Sequence, residues 1–310
     1  MMTVVTDARR PPRARVGVFG IGLEAYWPQF AGLKERCEGY QARVEERIRE
    51  LGADVISAGL VDTAQKARAA GDAFAQAQVD LVLCHAVTYA TSSVVLPVLQ
   101  AAGVPVVLLG LQPTTTLDYV DTDTAEWLAN CAACCVPEIA GVCVRAGIPY
   151  DTVAGTIDDD PRAWAKIAAW VRAAGVARAL RRSRIGFMGH AYAGMLDMYA
   201  DFTMVQSDLG AHVEVLEIDD LGARVAQVTE AERAAKEEEI RAMFTFADPS
   251  SDPIAAPVQQ EQLDWSARVA VGLDKLVADF ELDALTYYYR GLDGNEAERL
   301  GAASSSATRC

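Results

Sequence analysis

Two short apolar runs, Arg15-Val-Gly-Val-Phe-Gly20 and Arg184-Ile-Gly-Phe-Met-Gly189, share one pattern: an arginine, a branched aliphatic residue, a glycine, two apolar residues and a closing glycine. Runs this short, bounded by glycine, suit strands buried on both faces of a parallel sheet. After each, strand-like and helix-like stretches alternate. The first cycle predicts strands at residues 15–20, 54–58, 80–85, 104–109 and 150–154, with helices at 30–51, 64–77, 92–102, 124–145 and 161–180. The second predicts strands at 184–189, 212–217 and 284–289, helices at 195–209, 230–246 and 261–280, and a loop over the proline-rich stretch 248–257. Strands separated by helices of this length require right-handed crossovers and a parallel sheet covered on both faces. The expected fold class is α/β, with two consecutive Rossmann-like, doubly wound parallel-sheet domains. A disordered lead is expected over residues 1–13, one domain over 14–182 and a second over 183–302. Convergence on a common opening strand would explain the two similar starts equally well, and the fold class survives either way.

Composition narrows the partners. The 310 residues include 28 basic and 43 acidic side chains, a formal net charge of −15 with no basic stripe, which disfavours nucleic acid. An apolar content of 51% is ample for a core. No apolar run approaches the roughly 20 residues that span a bilayer, because Pro97, Gly103 and Pro105 break the longest. The arginine-rich start leads only into the apolar stretch 16–21, too short for a secretory signal. Seven cysteines, three of them within 131–135, do not read as a disulfide framework, so a cytoplasmic location is expected.

Several groups could carry chemistry. Gly20-Ile-Gly22 has the start of a dinucleotide fingerprint, but the third glycine is missing and Trp27-Pro28 stands where a helix should open. Glu24, Tyr26 and Gln29 are the polar groups offered by that loop. Cys131, Cys134 and Cys135 invite a metal or redox reading, yet no second cysteine pair or nearby histidine closes a tetrahedral site, and buried packing outweighs it. His85 and His190 each end a predicted strand, where parallel sheets place ligands, while His212 opens one. No G-x-S-x-G nucleophile elbow occurs. The acidic run 230–239 suits a solvated helix face. The stretch Tyr287–Arg299 follows a strand and brings Asp293, Glu296 and Glu298 to one predicted loop, where carboxylates could ligate a divalent cation or exchange protons; an acidic surface loop is the plain alternative.

Longer stretches carry a resemblance. Tyr26-Trp-Pro-Gln-Phe, Ser57-Ala-Gly-Leu-Val-Asp-Thr63, Thr88-Tyr-Ala-Thr-Ser-Ser93, Leu111-Gln-Pro-Thr114, Glu126-Trp-Leu-Ala-Asn-Cys131, Gly194-Met-Leu-Asp-Met-Tyr-Ala-Asp-Phe202 and Tyr288-Tyr-Arg-Gly-Leu-Asp-Gly-Asn-Glu296 resemble the arabinose isomerase-like branch of the L-arabinose/L-fucose isomerase superfamily. The resemblance runs from about residue 15 to residue 302. It implies two Rossmann-like domains followed by a C-terminal β-rich domain, in a homo-oligomer. It also implies a small sugar substrate and aldose–ketose isomerisation through a cis-enediol. A divalent metal, typically Mn²⁺, would polarise the sugar oxygens while paired glutamates serve as base and acid.

Residue by residue, the resemblance makes Glu296 the catalytic and metal-binding glutamate, with Glu298 as the other register for the metal. Glu24, Tyr26, Met195 and Asp197 match substrate-facing segments; His190 matches no family ligand. The family's second glutamate and two histidine ligands would lie beyond residue 310, so an inactive fragment lacking the β-rich domain is expected. Residues 303–310 depart from the family pattern. A one-base loss in GC-rich codons for the family's S-L-I-V-G-N-S-L-L-T run reproduces Ala303-Ser-Ser-Ser-Ala-Thr-Arg-Cys310 and a stop, which makes a frameshifted tail the expectation. A non-catalytic sugar-binding module of two domains is the alternative function, and a nicotinamide-dependent oxidoreductase using the Gly20–Gly22 loop is the third.

Overall fold

The structure is a computed structural model, and it describes residues 12–192, 194–246, 250–251, 256–288 and 296–307. The chain divides into two compact units, Arg10–Ala179 and Leu180–Cys310.

The first unit is a five-stranded parallel sheet in the order β2-β1-β3-β4-β5. Its strands are β1 (Arg15–Ile21), β2 (Asp54–Val61), β3 (Leu81–His85), β4 (Val106–Gln112) and β5 (Tyr150–Thr156). The α/β expectation holds, and this order is one of the doubly wound patterns, with its topological switch between β1 and β3. Helices α1 (Leu33–Glu50) and α6 (Pro161–Arg182) cover one face; α2 (Ala64–Gln76), α3 (Leu96–Ala102) and α5 (Val136–Ala146) cover the other. The period-2 alternation of β1 assigns its side chains. Val16 and Val18 join Val44, Ile48, Leu83 and Trp164, whereas Phe19 and Ile21 join Phe74, Val98 and Ile139.

The second unit holds a three-stranded parallel sheet, β7-β6-β8, among the described residues. Its strands are β6 (Arg184–Gly189), β7 (His212–Leu216) and β8 (Ala284–Tyr288). Helices α8 (Ile218–Val225), α10 (Gln260–Asp279) and α11 (Glu296–Ala307) form its core with Met188, Leu216 and Leu282. Helix α9 (Glu230–Met243) lies against α10 through Ile240, Leu263 and Ala267.

Four expectations are corrected. The predicted helix over 124–145 is two helices, α4 (Thr124–Ala129) and α5, because Pro137 opens a fresh helix and a Cys131–Cys134 disulfide occupies the turn between them. The predicted helix over 195–209 shrinks to α7 (Phe202–Leu209), which Asp201 caps by accepting from the Thr203 and Met204 amides. Helix α1 begins at Leu33 because Gly32 takes the left-handed conformation before it, at φ +81°. Helix α11 replaces the end of the predicted acidic loop, so Glu296 and Glu298 stand in a first helical turn. Residues 303–307 extend that helix, with Ala303 and Ser304 buried in its core.

Candidate functional site

Parallel sheets bind ligands beyond the carboxyl ends of their strands, at the switch point. Here that places the site between the loops that follow β1 and β3. After β1 the chain turns through a short 3-10 segment, Glu24–Tyr26. Glu24 is exposed, and half-buried Tyr26 meets Phe30 edge-on at 6.1 Å and Tyr89, from the loop after β3, at 6.5 Å. Burial, and then Tyr89, push the Tyr26 phenol above its usual pKa, so it remains a neutral hydrogen-bonding group. Trp27 Nε1 donates to Asp62 Oδ2 at 2.9 Å, just past β2, and Lys66 pairs with the other carboxylate oxygen at 2.7 Å. Burial alone would raise the Asp62 carboxyl; Lys66 and the Trp27 indole outweigh it and hold it below the ordinary range.

A buried polar chain lies directly beneath. His85, the last residue of β3, is fully buried, with Nδ1 2.9 Å from Gln41 Oε1. Gln41 Nε2 donates to Glu45 Oε1 at 3.0 Å, Ser57 Oγ donates to the same oxygen at 2.6 Å, and Arg49 pairs with Glu45 Oε2 at 3.1 Å. His85 Nε2 and Gln112 Oε1, at the carboxyl ends of β3 and β4, are buried without hydrogen bonds. Unspent polar atoms at this edge are a mark of a site that orders water or ligand there.

The loop after β4 is tied down from the side. Thr114 Oγ1 donates to Asn130 Oδ1 at 2.8 Å, and Asn130 Nδ2 donates to Glu126 Oε1 at 2.9 Å. Arg36 takes Glu126 in a two-pronged contact at 2.5 and 2.9 Å, which holds the Glu126 carboxyl below its normal pKa. Gln41 and Glu45 belong to no motif of the sequence, and no motif marks this clamp. The signal was there: Leu33, Cys37, Gln41, Val44, Glu45 and Ile48 form the buried stripe of α1, and two polar residues on such a stripe need buried partners.

The dinucleotide reading fails on space. A Cβ at Gly20 would stand 2.8 Å from both Gln41 Oε1 and Val87 Cγ2, and one at Gly22 would stand 2.7 Å from the Trp27 ring. Both glycines are thus occupied by the protein's own side chains rather than left open for a pyrophosphate.

Of the residues expected at the site, Glu24 and Tyr26 share one turn in the first unit. Met195 and Asp197 share an exposed turn after β6 in the second, Met195 beginning and Asp197 lying within a 3-10 segment. His190 follows β6, its amide donating to the Tyr288 carbonyl. Asp293 and the side chain of Glu296 lie outside the described residues. Glu296 and Glu298 occupy helix positions about 200° apart around the axis, so the backbone does not present them as a pair. Among the described residues no group of three or more His, Cys, Asp or Glu could hold a metal ion, and one carboxylate is not a competent cage. The described residues therefore do not fit a Mn²⁺ centre.

Comparison with known proteins finds no matching family model. The chain is 26% identical over 235 residues to an L-arabinose isomerase of a Nocardioides species, covering 76% of this chain and 46% of that one. It is 28% identical over 194 residues to the L-arabinose isomerase of Acidothermus cellulolyticus, covering 63% and 38%. A third, from Mycolicibacterium smegmatis, is 28% identical over 162 residues, covering 52% and 31%. The matched regions make up less than half the length of each relative. Among solved structures, the arabinose-transporter periplasmic binding protein of Shewanella sp. ANA-3 aligns over 95% of this chain and 85% of its own at 13% identity, but its TM-score of 0.25 carries no argument. By sequence the chain is similar to these three L-arabinose isomerases, over less than half the length of each.

Proposed function

We propose that this chain is the sugar-facing α/β part of a cytoplasmic aldose–ketose isomerase of carbohydrate metabolism, one that self-associates and moves a proton between neighbouring sugar carbons through an enediol. The supporting observation is the sequence shared with three L-arabinose isomerases, over as much as 76% of the chain. The β1–β3 edge suits that role. The Tyr26 and Tyr89 rings offer apolar faces to the C–H side of a sugar, while Glu24 stands exposed beside them as a hydroxyl acceptor.

Proton transfer needs a base and an acid in place together. Glu296 is the proposed catalytic group, and a lone carboxylate covers one of those roles. The chain by itself is accordingly proposed to bind sugar without converting it. Dependence on Mn²⁺ through Glu296 or Glu298, and contact of Met195 and Asp197 with substrate, rest on family resemblance alone.

Titrating the purified chain with L-arabinose and L-fucose by calorimetry, beside a ketose assay with and without Mn²⁺, tests this reading. The expected result is binding that Tyr26→Ala weakens by about tenfold, roughly 1.4 kcal/mol, with no ketose formed. Failure of either sugar to bind would overturn the sugar-facing assignment. Turnover at an ordinary enzymatic rate, about 1–1,000 s⁻¹, would overturn the fragment assignment.

A further inference from the structure

The turn between α4 and α5 holds a Cys131–Cys134 disulfide with a Cα–Cα distance of 5.9 Å. Its two ends differ: Cys131 is buried, and Cys134 is exposed. The other described cysteines, Cys37, Cys84, Cys135 and Cys143, are buried thiols, and burial pushes all their pKa values up, that of Cys37 to about 12. Thiols so placed are inert. Among the described cysteines the exposed one is Cys134, and exchange chemistry is thereby concentrated there.

As a structural staple the bond is poor. Loop-closure stabilisation is least for the shortest rings, and this ring joins positions three apart. Its place in the fold is more telling. Asn130, next to Cys131, receives Thr114 from the loop after β4 and donates to Glu126, which Arg36 of α1 grips. Thr88, after β3, donates to the Leu128 carbonyl at 2.8 Å. The end of α4, which runs straight into the bonded turn, is thus tied to α1 and to the loops after β3 and β4.

We propose that Cys131–Cys134 is a thiol–disulfide exchange site, entered at Cys134 Sγ by a small thiol, whose reduction loosens the Asn130-centred clamp. The thiolate of the incoming thiol attacks Cys134 Sγ; the S–S bond breaks, and Cys131 leaves as a thiolate and takes up a proton. A second thiolate then attacks the outer sulfur of the mixed disulfide, releasing Cys134 as a thiolate that is protonated in turn. Two thiols are oxidised to one external disulfide, and the protein gains two protons and two electrons. None of this rests on the sugar assignment, and its test uses no sugar.

The full chain, kept in air without reductant, is alkylated with iodoacetamide under native conditions and mapped by peptide mass spectrometry. Cys131 and Cys134 are expected unlabelled at first and both labelled after brief exposure to dithiothreitol, with Cys37, Cys84, Cys135 and Cys143 protected throughout. Labelling of both before reduction overturns the proposal, as does a bond that yields only after denaturant is added. Amide hydrogen exchange over residues 126–136 is the second readout. It is expected to rise by about tenfold on reduction, and Cys134→Ser should show the faster exchange with or without dithiothreitol. Exchange that ignores the redox state would overturn the link to the clamp.

Discussion

His85 Nδ1 and Gln41 Oε1 stand 2.9 Å apart at the buried end of β3, and the rest of the Gln41 amide settles which of them donates. Glu45 only accepts, so Gln41 must turn its NH₂ toward Glu45 and its oxygen toward the ring. His85 is thus the Nδ1–H tautomer with a bare Nε2 lone pair. Burial holds its pKa down to about 4, against a weaker opposing pull from the Leu111 carbonyl.

That depression fixes a pH dependence. Between about pH 6.5 and 4 the unfolded chain takes a proton at His85 that the folded chain refuses, so stability is full above that window and falls as pH drops through it. The loss reaches about 3 kcal/mol at the acid end. Asp62 and Glu126, whose carboxyls are lowered, lose their contributions only as pH falls into the ordinary carboxylate range, at the acid end of the window. Urea unfolding followed by tryptophan fluorescence at pH 7, 5.5 and 4.5 should show the decline. His85→Asn should start less stable and decline much less across the same range.

Gly20 leaves the space that this pair occupies. Alanine there puts a methyl 2.8 Å from both Gln41 Oε1 and Val87 Cγ2, so both side chains must shift to admit it. Gly20→Ala should cost about 1–3 kcal/mol. It should also push Gln41 off the ring, so the imidazole signals of His85 in NMR shift more than those of His212. A variant of unchanged stability with an unmoved His85 would show that the contact yields without strain.

How much of this was legible in the sequence can be traced to particular residues. The strands of the first sheet were, because β1 alternates Val16 and Val18 against Phe19 and Ile21 between two helix layers, and the position of His85 at a strand end followed. Gln41 and Glu45 were not, since their meaning depends on Ser57 and His85, which lie 12 to 44 positions away in the chain. The break between α4 and α5 was marked by Pro137 but hidden by the apolar periodicity running through it. Glu296 and Glu298 have the local look of loop residues because glycines precede them. The packing of Leu300 and Ala303 into the second unit, invisible locally, makes that stretch helical.

Asp80 and Arg178 give a different kind of test. Both are buried, and they pair at 3.3 Å while Asp80 Oδ2 also accepts the Arg15 amide at 2.8 Å. Asp80→Ala leaves a guanidinium in the interior without this carboxylate, and a loss of about 3–5 kcal/mol is expected. Asp80→Ala combined with Arg178→Met should recover part of it, because no buried charge then lacks its counterpart. Denaturant midpoints of the two single variants and the double variant form the cycle; strict additivity would mean that the pair is not coupled.

Gly272 does for the second unit what Gly20 does for the first, at a helix–helix contact. It lets α10 press against α8 so closely that a Cβ would lie 2.5 Å from Val225 Cγ2 and 3.2 Å from the Val225 backbone nitrogen. Gly272→Ala should force α8 and α10 apart and open the core of Leu221, Val269 and Leu273, at about 1–3 kcal/mol. Alanine at position 225 would remove Cγ2 but leave the backbone nitrogen, so Gly272→Ala with Val225→Ala should recover only part of the loss. Trp265 reports it, because its indole donates to the Arg299 carbonyl at 2.9 Å and so senses α11 beside α10. With the first-unit tryptophans replaced by phenylalanine, the Trp265 transition should move to lower denaturant in the single variant and part of the way back in the double. A single variant that unfolds with the parent would mean that the two helices adjust to the methyl without loss of packing.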